Sequence, residues 1–292
     1  MKPPVFDYIA PENLDHALHE LQQAGWDAKL LAGGQSLVPM MNFRLVQPAV
    51  LIDLNPLEEL SFIRSNGDGA VRIGAMTRLS RLEQDPLIEK HIPLLHEALP
   101  HVAHIQIRTR GTAGGSLAHA DPAAELPVIA LAADARMKLK GPDGERWLDA
   151  PDFFQGMFTT ALGTDEILVE LEIPPTPEST GWAFIEFARR PGDYALCGVA
   201  ARITLDDAGV CSNARLVYLN AGDGPVTAFQ AAASLVGQPY SKENAAEAAR
   251  IAAETEIAPM GNVHASPEYQ QHLAAVLTRR VLETAFHRAG QD

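Results

Sequence analysis

Two glycine pairs, each preceded by a short apolar segment, constrain this chain more than any other feature: Ala32-Gly33-Gly34-Gln35-Ser36 and Thr112-Ala113-Gly114-Gly115-Ser116. Glycine has no Cβ, so it accepts positive φ and lets backbone N–H groups come close to a ligand. A loop of that kind can wrap a pyrophosphate with amides and add a hydroxyl from Ser36, Thr112 or Ser116. One glycine pair alone is an ordinary turn signal. Two pairs with similar flanks point to phosphate binding, and to a fold that brings two remote segments to one ligand.

The rest of the chain supplies mixed elements to carry those loops. Asn13 opens a helical pattern in which Leu14, Ala17, Leu18 and Leu21 repeat at three-and-four spacing, and Gly25 ends it. Residues 29–32 and 50–54 read as strands with the apolar run 36–45 between them, and 70–75 as a third strand. Helical patterns follow at 79–85 and 93–103. An apolar run at 125–133 precedes alternation at 135–140 and a Gly-Pro-Asp-Gly turn, which reads as sheet edge. The segment 173–181 holds three prolines and marks a domain boundary. Beyond it, strands at 183–189, 196–205 and 214–220 and helices at 226–236, 242–256 and 267–289 form an α+β order.

Composition removes several function classes. The 292 residues suit two domains, and a net charge of −14 disfavours polyanion binding, so no nucleic-acid role is expected. Cys197 and Cys211 are the only cysteines, too few for a disulfide framework, a four-thiolate zinc site or an iron–sulfur cluster. The N-terminal stretch lacks an apolar run of signal-peptide length and no membrane span is present, which gives a cytoplasmic expectation. Rossmann, P-loop, nucleophile-elbow and zincin motifs are missing. His96, His101, His104 and His119 cluster near Asp121 and Glu125 without a recognised ligand spacing, so no metal is expected. Arg108 and Arg110, beside the second glycine pair, are candidates to offset a ligand's charge.

Three ordered stretches carry a family resemblance: LLAGGQSLVPMMNFRL (30–45), IQIRTRGTAGGSLAHADPAAELP (105–127) and RRPGDYALCGVAA (189–201). Together they resemble the FAD-binding medium subunit of molybdenum hydroxylases, the xanthine dehydrogenase and carbon monoxide dehydrogenase group, and the resemblance spans the whole chain. It implies a two-part FAD-binding domain of the vanillyl-alcohol-oxidase (PCMH) type over 1–176, divided near 56 and 57, and a smaller α+β domain over 177–292. Leu31, Ala32, Gly33, Gly34, Gln35 and Ser36 would form the first pyrophosphate loop, and Thr112, Ala113, Gly114, Gly115 and Ser116 the second. Asp121 and Glu125 match acidic positions after that loop, with Glu125 the better match to a FAD-contacting carboxylate. Val102 and Leu168 fall where the family supplies apolar contacts, and each suits a core equally well. Tyr194 falls near the flavin ring, where an aromatic side chain can stack or shield. The sequence also departs from the family. Glu186 stands where relatives often carry a basic residue, and Gln35 replaces a histidine of some members.

The resemblance implies an electron-transfer subunit. A large partner would carry the molybdenum cofactor, a small partner two [2Fe–2S] clusters, and FAD on this chain would pass electrons to an external acceptor such as a quinone, O2 or NAD. A dimer of heterotrimers is the implied assembly. Binding and tuning of a cofactor need no general acid, base or nucleophile on this chain, so no catalytic residue is assigned. Two alternatives are a stand-alone flavin oxidase or dehydrogenase and a non-catalytic assembly module on the same fold.

Overall fold

Asn13 caps the first helix: its side-chain oxygen accepts from the His16 amide at 2.9 Å, and the helix runs over Leu14–Ala24 until Gly25, at φ 53°, turns the chain. Its buried face is Ala17, Leu18 and Leu21, as the spacing predicts. In this computed structural model the described residues are 2–291 apart from Asn66 and Asp68.

That helix covers a small parallel sheet of β1 (Asp7–Ile9), β2 (Ala28–Leu31) and β3 (Val50–Asp53), in the order β1-β3-β2. The apolar run between β2 and β3 forms the helix Leu37–Asn42. Strand β1 lies in a stretch that reads as irregular; three residues are too few to show alternation.

A second sheet follows. β4 (Ile63–Ser65), β5 (Val71–Gly74), β6 (Arg136–Gly141) and β7 (Gly144–Asp149) are joined, after the hairpin β8 (Phe154–Gly156) and β9 (Thr159–Thr160), by β10 (Ile167–Ile173). β10 inserts between β5 and β6, antiparallel to both, giving the order β4-β5-β10-β6-β7. Short helices fill the long excursion between β5 and β6. The span 93–103 breaks into Pro93–Ala98 and a 3-10 turn at Leu99–His101, where Pro100 has no amide to continue an α-helix. Residues 125–133 form the helix Glu125–Ala132, every residue of which is buried, so no amphipathic period is visible in its sequence.

The third sheet is an antiparallel meander of β11 (Thr180–Ala188), β12 (Ala195–Leu205), β13 (Cys211–Leu219) and β14 (Val226–Thr227). Alternation sorts its side chains onto two buried faces. Cys197, Val199, Ala201 and Tyr218 pack with Ala274, Leu277 and Val281 of the long helix Pro267–Ala289, and the Tyr218 hydroxyl meets Thr278 at 2.7 Å. Phe184, Ala200, Val217 and Leu219 join the opposite core, which also holds Leu95, Val128, Leu139 and Leu171. One hydrophobic core therefore bridges the second and third sheets. Among the described residues no helix is long and apolar enough to cross a membrane.

Candidate functional site

Strand β2 delivers the chain into the first glycine pair. Gly34 adopts φ +73°, and a Cβ there would also press on Leu31 Cδ1 and Val38 Cγ2 at 3.2 Å. Among the described residues, no protein acceptor meets the amides of Gly33, Gly34, Gln35, Ser36 or Leu37. The Gln35 side chain folds back and donates to the Gly33 carbonyl at 2.9 Å, so Gln35 stiffens the loop it belongs to. A run of unpaired, consecutive amides is a cradle for an anion.

The second glycine pair is built differently, and the expectation of a second amide-lined loop is corrected. Thr112 is the N-cap of the helix Ala113–His119, its hydroxyl accepting from the Gly115 amide at 3.1 Å. The amides of Ala113, Gly114 and Ser116 donate to Thr77, Ala75 and Thr112 carbonyls at 3.0, 2.8 and 3.1 Å. None of the four is left for a ligand. Nor do Gly114 and Gly115 have positive φ; they are needed for closeness. A Cβ on Gly114 would lie 2.9 Å from Ala75 Cα, and one on Gly115 2.7 Å from the Thr112 hydroxyl. Gly114 is buried, while Gly115 and Ser116 stay partly exposed.

The fold does bring the two pairs together. A Cβ on Gly33 would lie 2.8 Å from Gly111 Cα, so the segments touch backbone to backbone. A side-chain network that sequence reading missed ties them. Asn55 donates from Nδ2 to the Ala32 carbonyl at 2.9 Å and accepts from Arg78 Nη2 at 2.5 Å, while Arg78 Nη1 donates to the Arg110 carbonyl. Asp53, 8% exposed, accepts from the Asn55 amide at 2.9 Å and from the Tyr8 hydroxyl at 2.6 Å. Burial, then the nearby Arg110, lowers the Arg78 pKa, and Asp53 opposes them. Tyr8, Asp53 with Asn55, and Arg78 come from three separate stretches of the chain, so no local spacing could flag them. Arg108, expected to offset ligand charge, is instead buried and committed to Glu83 at 2.8 Å and to the Val102 and Ala103 carbonyls at 3.1 and 3.0 Å.

The helix Ala113–His119, with Ser116 at its middle, leads on to a second group of polar residues. Asp121 accepts from the Ala123 amide at 2.9 Å. Glu125 is 7% exposed; burial above all, then the charges of Glu186 and Asp121, pushes its pKa up to about 8. Glu186, on β11 opposite Gly198, places Oε1 3.6 Å from His101 Nδ1 and leaves Oε2 buried without a partner. That contact raises the His101 pKa against the opposing effect of burial. The Tyr194 side chain is 69% exposed, yet its phenol pKa is raised by burial and then by Asp121 and Glu125. The structure thus gathers Asp121, Glu125 and Tyr194 and adds His101 to them. Val102 is partly buried against the core, and Leu168, 5% exposed, lies within it. His119 packs on Phe158 at 5.0 Å, and His104 lies against Gly192.

The FAD binding domain in molybdopterin dehydrogenase matches residues 4–176, and the CO dehydrogenase flavoprotein C-terminal domain matches residues 182–285. The chain belongs to the FAD-bearing medium subunits of the molybdenum hydroxylases. This medium subunit is 42% identical to the 6-hydroxypseudooxynicotine dehydrogenase complex subunit alpha of Paenarthrobacter nicotinovorans, over 99% of its own length and 97% of the relative's. It is 38% identical to a chain of carbon monoxide dehydrogenase from Hydrogenophaga pseudoflava, TM-score 0.95, with 99% of each chain covered. Quinoline 2-oxidoreductase from Pseudomonas putida 86 matches at 39% identity and TM-score 0.94, again over 99% of both chains. The residues fit the cofactor that the family carries: the open amides of Gly33–Leu37 suit a pyrophosphate, and the unpartnered Glu186 Oε2 marks a polar site at the other end of the helix. The medium subunit is an oxidoreductase flavoprotein, with the molybdenum cofactor and [2Fe–2S] clusters residing on its partner subunits.

Proposed function

We propose that the FAD pyrophosphate is held between the amides of Gly33–Leu37 and the Ser116 hydroxyl, with the flavin ring directed toward Asp121, Glu125 and Tyr194. The observation that carries this is the run of five amides without a protein acceptor, beginning where Gly33 meets the backbone of Arg110 and Gly111 just before the second glycine pair. Bound FAD supplies the exchange between single electrons arriving from [2Fe–2S] clusters and the pair delivered to an acceptor. The chain's residues bind and orient. The hydroxyls of Ser36 and Ser116 donate to phosphate oxygens, while Thr112 keeps its cap and fixes the direction of the helix behind them. Glu125, protonated at neutral pH, is a hydrogen-bond donor at the ring end. Tyr194, largely exposed, shields that end.

The exposed Tyr194 edge supports delivery to a diffusible external acceptor. Exposed apolar side chains at Trp26, Phe43 and Leu45 support burial against the large and small partner subunits, in a dimer of heterotrimers. Free, buried Cys197 and Cys211 suit a cytoplasmic setting, and the residues up to 176 and from 177 onward act as the FAD-binding and C-terminal domains. The substrate pocket lies on the large partner.

The test is an absorption spectrum of the purified chain, then heat release and chromatography of any yellow ligand. Released FAD is the expected result; no flavin, even after incubation with FAD and the partner subunits, would overturn the assignment. Tyr194→Ala is expected to change the flavin spectrum more than flavin binding.

A further inference from the structure

We infer that Asn55 and Arg78 are positioning residues that lock the two glycine-bearing segments at a fixed separation, so that the pyrophosphate cradle is formed before FAD arrives. The inference rests on the placement of FAD proposed above. Neither residue belongs to either glycine segment. Asn55 follows β3 in the parallel sheet, and Arg78 precedes the helix Leu79–Gln84 beside the second sheet, where it pairs with Thr112 in an isolated β-bridge.

Their hydrogen bonds run in one line across the gap. The Ala32 carbonyl, next to the first glycine pair, accepts from Asn55 Nδ2 at 2.9 Å; Asn55 Oδ1 accepts from Arg78 Nη2 at 2.5 Å; and Arg78 Nη1 donates to the Arg110 carbonyl, two residues before Thr112. Asp53 anchors the Asn55 end and is itself fixed by Tyr8 at 2.6 Å. The fork of the guanidinium matters here, because two of its nitrogens serve two different oxygens in fixed directions. Backbone contact at Gly33 and Gly111 sets the closest approach of the segments, and the side-chain line prevents them from parting. No loop amide is consumed by this arrangement, so all five of Gly33–Leu37 stay available. A preformed cradle spends less binding energy on ordering itself.

The test uses the full chain, stripped of flavin and titrated with FAD by flavin fluorescence, with thermal melting of each flavin-free variant alongside. Asn55→Ala and Arg78→Met are each expected to weaken FAD binding by roughly ten- to a hundredfold. The double variant is expected to be no weaker than the weaker single variant, since the line fails wherever it is cut. Arg78→Lys is expected to bind as poorly as Arg78→Met, because one ammonium does not reproduce the fork. Flavin-free melting midpoints are expected to stay within a few degrees of the unsubstituted chain. Recovery of affinity in Arg78→Lys would mean that charge alone acts. Losses that multiply in the double variant, unchanged affinity in both single variants, or melting midpoints that fall in step with affinity would each overturn the inference. Should Arg78→Met fail to fold, Asn55→Ser carries the same comparison. An unsubstituted chain that takes up no FAD, alone or with its partners, would overturn the cofactor placement itself, an outcome distinct from wild-type binding with indifferent variants.

Discussion

A methyl group added at Gly34 and one added at Gly33 would do different kinds of damage. At Gly34 the cost is conformational, since φ +73° strains any side-chain-bearing residue by roughly 1–3 kcal/mol. At Gly33 the cost is collision with the backbone at Arg110 and Gly111, and Gly114→Val collides in the same way with Ala75. Gly34→Ala is expected to lose flavin with a modest drop in melting temperature, whereas Gly33→Val and Gly114→Val should lose both flavin and much of their stability. Flavin-to-protein ratio and thermal melting separate the two. Glu125 adds a pH effect. Its carboxyl binds a proton up to about pH 8 when folded but only to about 4.5 when unfolded, so the folded state holds more protons between those values. Its contribution is fullest below about pH 4.5 and is lost as pH rises through about 8. Glu125→Gln should flatten that fall, seen as a smaller drop in melting temperature between pH 5 and 9; an unchanged slope would exclude Glu125 as its source. The glycines were visible in the sequence, yet their separate reasons were not, because φ and backbone collision are set by partners far along the chain.

At the scale of elements, legibility followed length. The helix Pro267–Ala289 was readable because it repeats its apolar spacing over many residues, and the meander strands because each is a long run with turn residues at its ends. Three-residue strands, and the helix Glu125–Ala132 with its uniform burial, left no period to read. The helix at Ala113–His119 was hidden by its own glycines, which count against helix in a propensity argument but are needed for close packing, Gly114 on Ala75 and Gly115 on Thr112. The seam between β11 and the long helix shows the same trade. A Cβ on Gly181 would collide with the Ala285 carbonyl oxygen and with the Ala289 amide. Gly181→Ala is therefore expected to lift the helix and cost about 1–3 kcal/mol or more, measured by denaturant unfolding. An unchanged midpoint would show that the helix end can shift at little cost.

The whole molecule is held across its Pro-rich connection by side chains as well as by the chain. Glu97 accepts from the Phe184 amide at 3.0 Å and from Arg288 at 2.5 Å, joining the helix Pro93–Ala98 to the third sheet and to the C-terminal helix. Phe184, Ala200, Val217 and Leu219 lie in the same core as Leu95 and Val128. A protease that nicks the segment between Ile173 and Thr180 would therefore cut the covalent thread without opening that core. The two fragments should travel as one particle through a sizing column and part only in denaturant, so that gel electrophoresis under denaturing conditions reports two bands where chromatography reports a single peak.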